Sequence, residues 1–122
     1  MTQRIIKFRA WVDGKMQYGI QNLDIVVYNK QCILMQFTGL LDKNGKEIYI
    51  SDYVKSANDE VWEIREGEWK KEFRDEEWKM FGLHLWNTVE RNYACRETEL
   101  YKGIRLEVIG NLYENPERVG QE

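Results

Sequence analysis

The dipeptide Asn44-Gly45 constrains this chain more than any other feature. It lies within Asp42-Lys43-Asn44-Gly45-Lys46, between the apolar runs Leu34-Met35-Gln36-Phe37 and Ile48-Tyr49-Ile50. Asn-Gly tolerates two successive positive φ angles, and a tight turn built that way matches the twist of antiparallel strands. The spacing therefore predicts a β-hairpin with Asn44 and Gly45 as its central pair and Lys43 and Lys46 flanking them. In the first arm Met35 and Phe37 share one face, while Leu34, Gln36 and Thr38 share the other. Gly39 interrupts that arm, as glycine does at a bulge or a close backbone approach. The return arm, Glu47 to Ile50, runs through Ser51-Asp52 into Tyr53-Val54.

Strand signals recur on both sides of the hairpin. In Ile5 to Val12, Ile6, Phe8, Ala10 and Val12 fall on one face and Lys7, Arg9 and Trp11 on the other. Asp13-Gly14 turns the chain so that Lys15 to Tyr18 can return, and Leu23 to Tyr28 is apolar and β-branched enough to lie in or beside the sheet. Val61 to Arg65 alternates and is followed by Glu66-Gly67, after which Trp69 to Phe73 pairs back. The i,i+4 spacing of Trp69 and Phe73 keeps a helical turn through 68–80 open. Phe81, Leu83 and Leu85 alternate as a strand, whereas Trp86, Val89, Glu90 and Tyr93 have helical spacing and predict a short helix over 86–94. Leu106 to Tyr113 is strand-like and Pro116 closes it. The expected core is Phe8, Ile33, Met35, Phe37, Ile48, Val54, Val61, Val108, Ile109 and Leu112.

Composition bounds the rest. A chain of 122 residues with 43% hydrophobic and 32% charged side chains can bury one core, so a single domain over residues 1–122 is expected. The net charge of −3 lacks the basic surplus of a protein built to grip phosphate backbones. Charged residues from Arg4 to Lys15 leave no apolar leader segment, and no apolar run reaches the ~18 residues of a membrane helix. The expected location is cytoplasmic, with no membrane association. Cys32 and Cys95 lack metal or redox spacing and read as reduced thiols.

Three blocks carry a likeness to a known family. Lys7 to Trp11 reads Lys-Phe-Arg-Ala-Trp, the hairpin reads Asp-Lys-Asn-Gly-Lys-Glu-Ile from Asp42, and Ile109 to Glu117 reads Ile-Gly-Asn-Leu-Tyr-Glu-Asn-Pro-Glu. Together they resemble the YopX family, small proteins encoded by bacteriophages and prophages. Residues 65–105 match that pattern only loosely and read as a variable insertion. Family members usually carry Glu-Gly before the aspartate at position 52, a pattern also found entering SH3-like barrels. Ile50-Ser51 stands there in this chain, which weakens the expectation of a positive φ at position 51. The resemblance implies a phage or prophage accessory protein acting inside the host cell, and it implies no particular reaction.

Catalytic chemistry finds little material. His84 is the sole histidine and sits among Leu83, Leu85 and Trp86, where a packed side chain is the better reading than a ligand. No metal-binding spacing occurs. Ser51 and Ser56, the two serines, lie in no nucleophile elbow, and a Cys–His pair is a coincidence that one His and two Cys always permit. Asp59-Glu60 and Asp75-Glu76-Glu77 read as solvated charges rather than as the facing carboxylates of a cleft. Neither a catalytic residue, a cofactor nor a metal is expected.

One span has the texture of a binding surface. Between Arg65 and Lys79, the rings of Trp69, Phe73 and Trp78 interleave with Lys70, Lys71, Arg74 and Lys79. That pattern suits single-stranded nucleic acid, with cations for phosphates and rings for bases. Six acids against five bases leave no positive field, so protein recognition outranks nucleic acid. The expectation is a mainly β, barrel-like fold, SH3-like or two-lobed, of short antiparallel strands with at most one short helix. Its function is read as a non-enzymatic module that binds a host or phage protein, with homo-oligomers compatible. Single-stranded nucleic-acid binding is the first alternative and an enzyme the second.

Overall fold

The computed structural model describes residues 6–20, 32–89, 94–100 and 105–115. Among them every regular element is a strand. Nine strands run in chain order: β1 Phe8–Val12, β2 Lys15–Ile20, β3 Ile33–Leu41, β4 Glu47–Tyr49, β5 Asp52–Ser56, β6 Val61–Phe73, β7 Glu76–Val89, β8 Ala94–Glu99 and β9 Leu106–Asn111. They form a curled four-stranded sheet in the order β2-β1-β3-β4 and a five-stranded sheet in the order β8-β7-β6-β5-β9. All pairings are antiparallel. The mainly β, barrel-like expectation is met.

Asp13-Gly14 turns β1 into β2 with φ of 50° and 76°, the left-handed pair that a two-residue hairpin requires. The Asn44-Gly45 hairpin is present as well, but its turn differs from the expected one. Gly45 N–H donates to Asp42 O at 3.0 Å and Asp42 N–H donates to Lys46 O at 2.7 Å. Gly45 has φ of 82°, and Asn44 has no positive φ. This is a three-residue loop of Lys43, Asn44 and Gly45, with glycine as the left-handed residue that closes it.

Asp42 explains why the longer loop wins. Its Oδ1 accepts the amides of Asn44 and Lys46, both at 2.8 Å, and its Oδ2 accepts Val108 N–H at 2.9 Å from β9. Burial alone would push this carboxyl up. The three amide hydrogen bonds outweigh it and hold the group below its ordinary value. One side chain thus shapes the turn and fastens it to the other sheet.

Ile48, Val54, Trp62, Ile64, Leu85 and Leu106 make the central cluster, with Leu40, Leu100 and Val108 packed against it. Ile48 comes from the four-stranded sheet and the other five from its neighbour, so the core sits between the two. Burying a side chain such as Ile64 or Leu85 contributes roughly 1.5–3 kcal/mol. Of the expected core, Met35, Phe37, Ile48 and Val54 are buried, while Phe8, Val61, Val108, Ile109 and Leu112 are half-buried. Ile33, the first residue of β3, is exposed.

Four further expectations are corrected. Trp86 to Val89 continues β7 and pairs with β8, so no helix begins at 86; residues 90–93 lie outside the described ones. The 68–80 helical turn is absent, since these residues occupy β6 and β7. Gly67 is no turn but lies within β6, opposite Gly82, and the chain reverses at Arg74-Asp75. Ser51, finally, does adopt a positive φ, of 78°. The backbone there gives Ser51 N–H to Ile64 O and accepts Leu112 N–H, and those two bonds fix the conformation whichever residue is present. The expected strand over Leu23 to Tyr28 and the closing Pro116 fall outside the described residues.

Candidate functional site

β6 and β7 are much longer than their neighbours. Their ladder runs from Glu63↔Trp86 to Phe73↔Glu76, whereas β5 meets β6 only at Val61 to Glu63 and β8 meets β7 only from His84 onward. The distal part of this hairpin is therefore a two-stranded arm extending past both neighbours. Gly67 and Gly82 face each other where it leaves the sheet, with φ of 129° and 125°, a region that side-chain-bearing residues rarely adopt. At the tip, Arg74 and Asp75 have φ of 51° and 63°, both left-handed, as a two-residue turn demands.

The root of the arm is held by rings. Trp69 is buried and stacks on His84, ring centroids 5.7 Å apart. His84 is buried too; its Nδ1 lies 3.1 Å from Gly82 O and its Nε2 lies 3.5 Å from Glu97 Oε2 on β8. A carbonyl can only accept, so in that contact Nδ1–H is the donor. The Arg65 guanidinium lies 3.5 Å from the centre of the Trp86 ring and also pairs with Glu63.

The span singled out from the sequence is divided by this geometry. Trp69, Lys71, Phe73 and Trp78 belong to one face of the ladder, Lys70 and Lys79 to the other, and Arg74 to the tip. Trp69 is spent on the root, whereas Trp78 is 53% exposed. Lys70 and Lys79 are directly opposite each other. Lys70 reaches Glu77 at 3.0 Å and Lys79 reaches Glu68 at 3.8 Å, so acids balance both cations. The hydrogen bond to Glu77 raises the Lys70 ammonium above the usual lysine value.

Phe81 lies just beyond the Arg65 to Lys79 span, within the aromatic-bearing stretch that reaches residue 86. It is 78% exposed, opposite Glu68 and on the same face as Lys79. Its signal was available in part: once β7 is aligned with β6, its partner across the ladder is a charged residue rather than an apolar one.

Among the described residues no group of three or more His, Cys, Asp or Glu could hold a metal ion, and no helix is long and apolar enough to cross a membrane. A polar pocket of about 300 Å³ lies between the hairpin turn, β5 and β9. Of its lining, Lys43 pairs with Glu107 at 3.7 Å and Lys55 with Asp59 at 3.3 Å, and Ser56 hydrogen-bonds to Asn58 and to Glu60 O.

The motif-bearing blocks have structural duties instead. Arg9 in β1 and Asp52 at the start of β5 form a buried ion pair, Nη1 to Oδ1, at 2.8 Å, which joins the two sheets. In the closing block, Asn111 Oδ1 accepts the amides of Tyr113 and Glu114, and Asn115 packs onto Gly110, where a Cβ would collide with its side chain. The model of the YopX protein family matches residues 17–120. The chain belongs to the YopX family. It is also similar to the crystal structure of protein EF1440 from Enterococcus faecalis, at 19% identity and a TM-score of 0.44, covering 94% of this chain and 98% of that one. No curated protein matches it.

Proposed function

We propose that this YopX-family member is a phage or prophage accessory protein of the host cytoplasm that works as a non-enzymatic protein-binding module. Its docking element is the β6–β7 arm, and the carrying observation is the exposure of Trp78 and Phe81 on a ribbon whose lysines Lys70 and Lys79 are already paired with acids. A surface without charge surplus draws its affinity from buried aromatic area, with one or two rings carrying most of it. The partner is a host or phage protein. Small β-barrels, SH3-like ones included, mostly serve as binding modules, and that analogy of fold points the same way. Affinity capture from host lysate, with and without phage infection, tests the reading. Phe81→Ala should reduce capture of a specific protein about tenfold while leaving the melting temperature unchanged. Equal capture by both proteins would refute the arm as the docking element.

One observation favours a second reading. Lys70 and Lys79 are adjacent, and Phe81 lies on their face, which is the pairing of cations and ring that single-stranded nucleic acid uses. Glu68 and Glu77 oppose it. Retention on immobilised single-stranded DNA at physiological salt, falling steeply as salt rises, would put this reading first.

A further inference from the structure

We infer that the free edge of β7 pairs with a second copy of this chain, antiparallel about a twofold axis at Trp78. The inference rests on the arm being a protein-binding element and names an occupant for its edge.

Because Arg74-Asp75 is a two-residue turn, Phe73 and Glu76 exchange both backbone hydrogen bonds. Counting from there, Glu76, Trp78 and Met80 direct their amides and carbonyls toward β6. Glu77, Lys79 and Phe81 direct theirs outward, where no strand among the described residues meets them. An antiparallel partner must present outward-facing residues opposite outward-facing ones. Pairing Glu77 with Lys79 of a second copy satisfies this and brings two Trp78 side chains together across a non-hydrogen-bonded pair, the position at which cross-strand side chains lie closest.

The charges ask for this register. Within one chain the ladder sets Lys70 opposite Lys79 and Glu72 opposite Glu77, like facing like. Directly opposed like charges are unfavourable in a sheet, and the diagonal Lys70–Glu77 and Lys79–Glu68 pairs offset this only in part. Across the twofold, Lys79 gains Glu77 and Glu77 gains Lys79. Each row of the four-stranded sheet then reads Lys-Lys-Glu-Glu and is neutral.

β6 carries the same Glu-Trp-Lys order in Glu68-Trp69-Lys70, yet its tryptophan is already buried on His84. Pairing along that edge would bury no new ring. The β7 edge, with Trp78 at 53% exposure, gains where the β6 edge does not. Phe81 lies on the opposite face from Trp78 and stays available for another protein, so pairing yields a dimer with two docking rings.

A ribbon edge this short buries less than a standard interface, so the dimer should be weak, with Kd in roughly the 10–500 μM range. Sedimentation of the isolated protein across that range should show a reversible monomer–dimer equilibrium. Glu77→Lys and Lys79→Glu, each alone, should weaken it about tenfold or more, since each dimer then holds two like-charged pairs. An equimolar mixture of the two variants should associate again, as should the exchanged double variant E77K/K79E. Far-UV circular dichroism establishes that each variant is folded. A wild-type protein that stays monomeric to about 1 mM, single variants that dimerise as well as wild type, or a mixture that fails to associate would each overturn the inference. These outcomes leave the capture result with Phe81→Ala untouched, so the two readings fail separately.

Discussion

Arg9 and Asp52 lie 43 residues apart in sequence and 2.8 Å apart in space, each almost wholly buried, at the seam between the two sheets. Asp52 Oδ2 also accepts Tyr49 N–H at 2.8 Å, and the Arg9 guanidinium lies 4.8 Å from the centre of the Tyr49 ring. Burial pushes the Asp52 carboxyl up to about 6, with the Arg9 charge pulling against it. Two charges withdrawn from water in this way contribute little net stability while paired, but either one alone is costly.

Removing one partner should therefore hurt more than removing both. Arg9→Met leaves Asp52 buried without its cation and should cost about 3–5 kcal/mol. Arg9→Met combined with Asp52→Asn keeps an acceptor for Tyr49 N–H and removes the buried charge. The double variant should be more stable than Arg9→Met alone. Urea unfolding of the wild type, both single variants and the double variant gives the coupling directly; strictly additive losses would show that the pair is not a unit.

Two backbone positions should respond with opposite signs. Ser51 sits at φ of 78°, where a Cβ is strained, and its two hydrogen bonds there are made by the backbone. Ser51→Gly should raise stability by about 0.5–1 kcal/mol, the left-handed relief exceeding the added freedom of the unfolded chain. Gly45 closes the hairpin turn at φ of 82°, and Gly45→Val should lower stability by roughly 1 kcal/mol or more. Thermal unfolding of both variants tests the pair, and a lower melting temperature for Ser51→Gly would contradict the strain argument.

These positions also show how far the sequence could be read. The Asn-Gly hairpin was legible because a local dipeptide dictates a local turn. Its exact loop was not, because Asp42 shapes it through a bond to Val108, 66 residues away. Alternation sets Arg9 on the face opposite Phe8, and it cannot see a carboxylate arriving from β5. The reversal at Arg74-Asp75 carries no glycine or asparagine, so the local turn signal falls at Glu66-Gly67 instead. Trp86 and Val89 have helical spacing, yet pairing with β8 extends them as strand. The candidate surface is legible as a segment, but its two faces follow only from register. Trp69 and Trp78 each stand between Glu and Lys, and nothing local distinguishes the buried ring from the exposed one.

Asp42 should make stability depend on acid. Its folded value lies below the ordinary 3.8, so the folded state binds fewer protons than the unfolded state as pH falls past that point. Its contribution is fully present above about pH 4 and is lost as pH drops through the lower folded value. Asp42→Asn removes the charge and one strong acceptor, and should cost about 1–3 kcal/mol at pH 7. The gap between wild type and variant should narrow from pH 4 toward pH 2. A gap that stayed constant across that range would mean the Asp42 carboxylate is not held by its three amides.

The two tryptophans of the arm give the sharpest contrast. Trp69 is 4% exposed and stacked on His84, so Trp69→Ala leaves a cavity at the arm's root and should cost about 3–5 kcal/mol. Trp78 is 53% exposed, and Trp78→Ala should change the stability of the monomer by no more than about 0.5 kcal/mol. Binding should show the reverse order. Trp78→Ala should weaken association through the arm by about 1–2 kcal/mol, because an exposed ring contributes only when something covers it. Unfolding at low protein concentration, beside capture with each variant, separates the two roles. If Trp78→Ala unfolded as easily as Trp69→Ala, the arm would be part of the core, and the docking surface would lie elsewhere on the molecule.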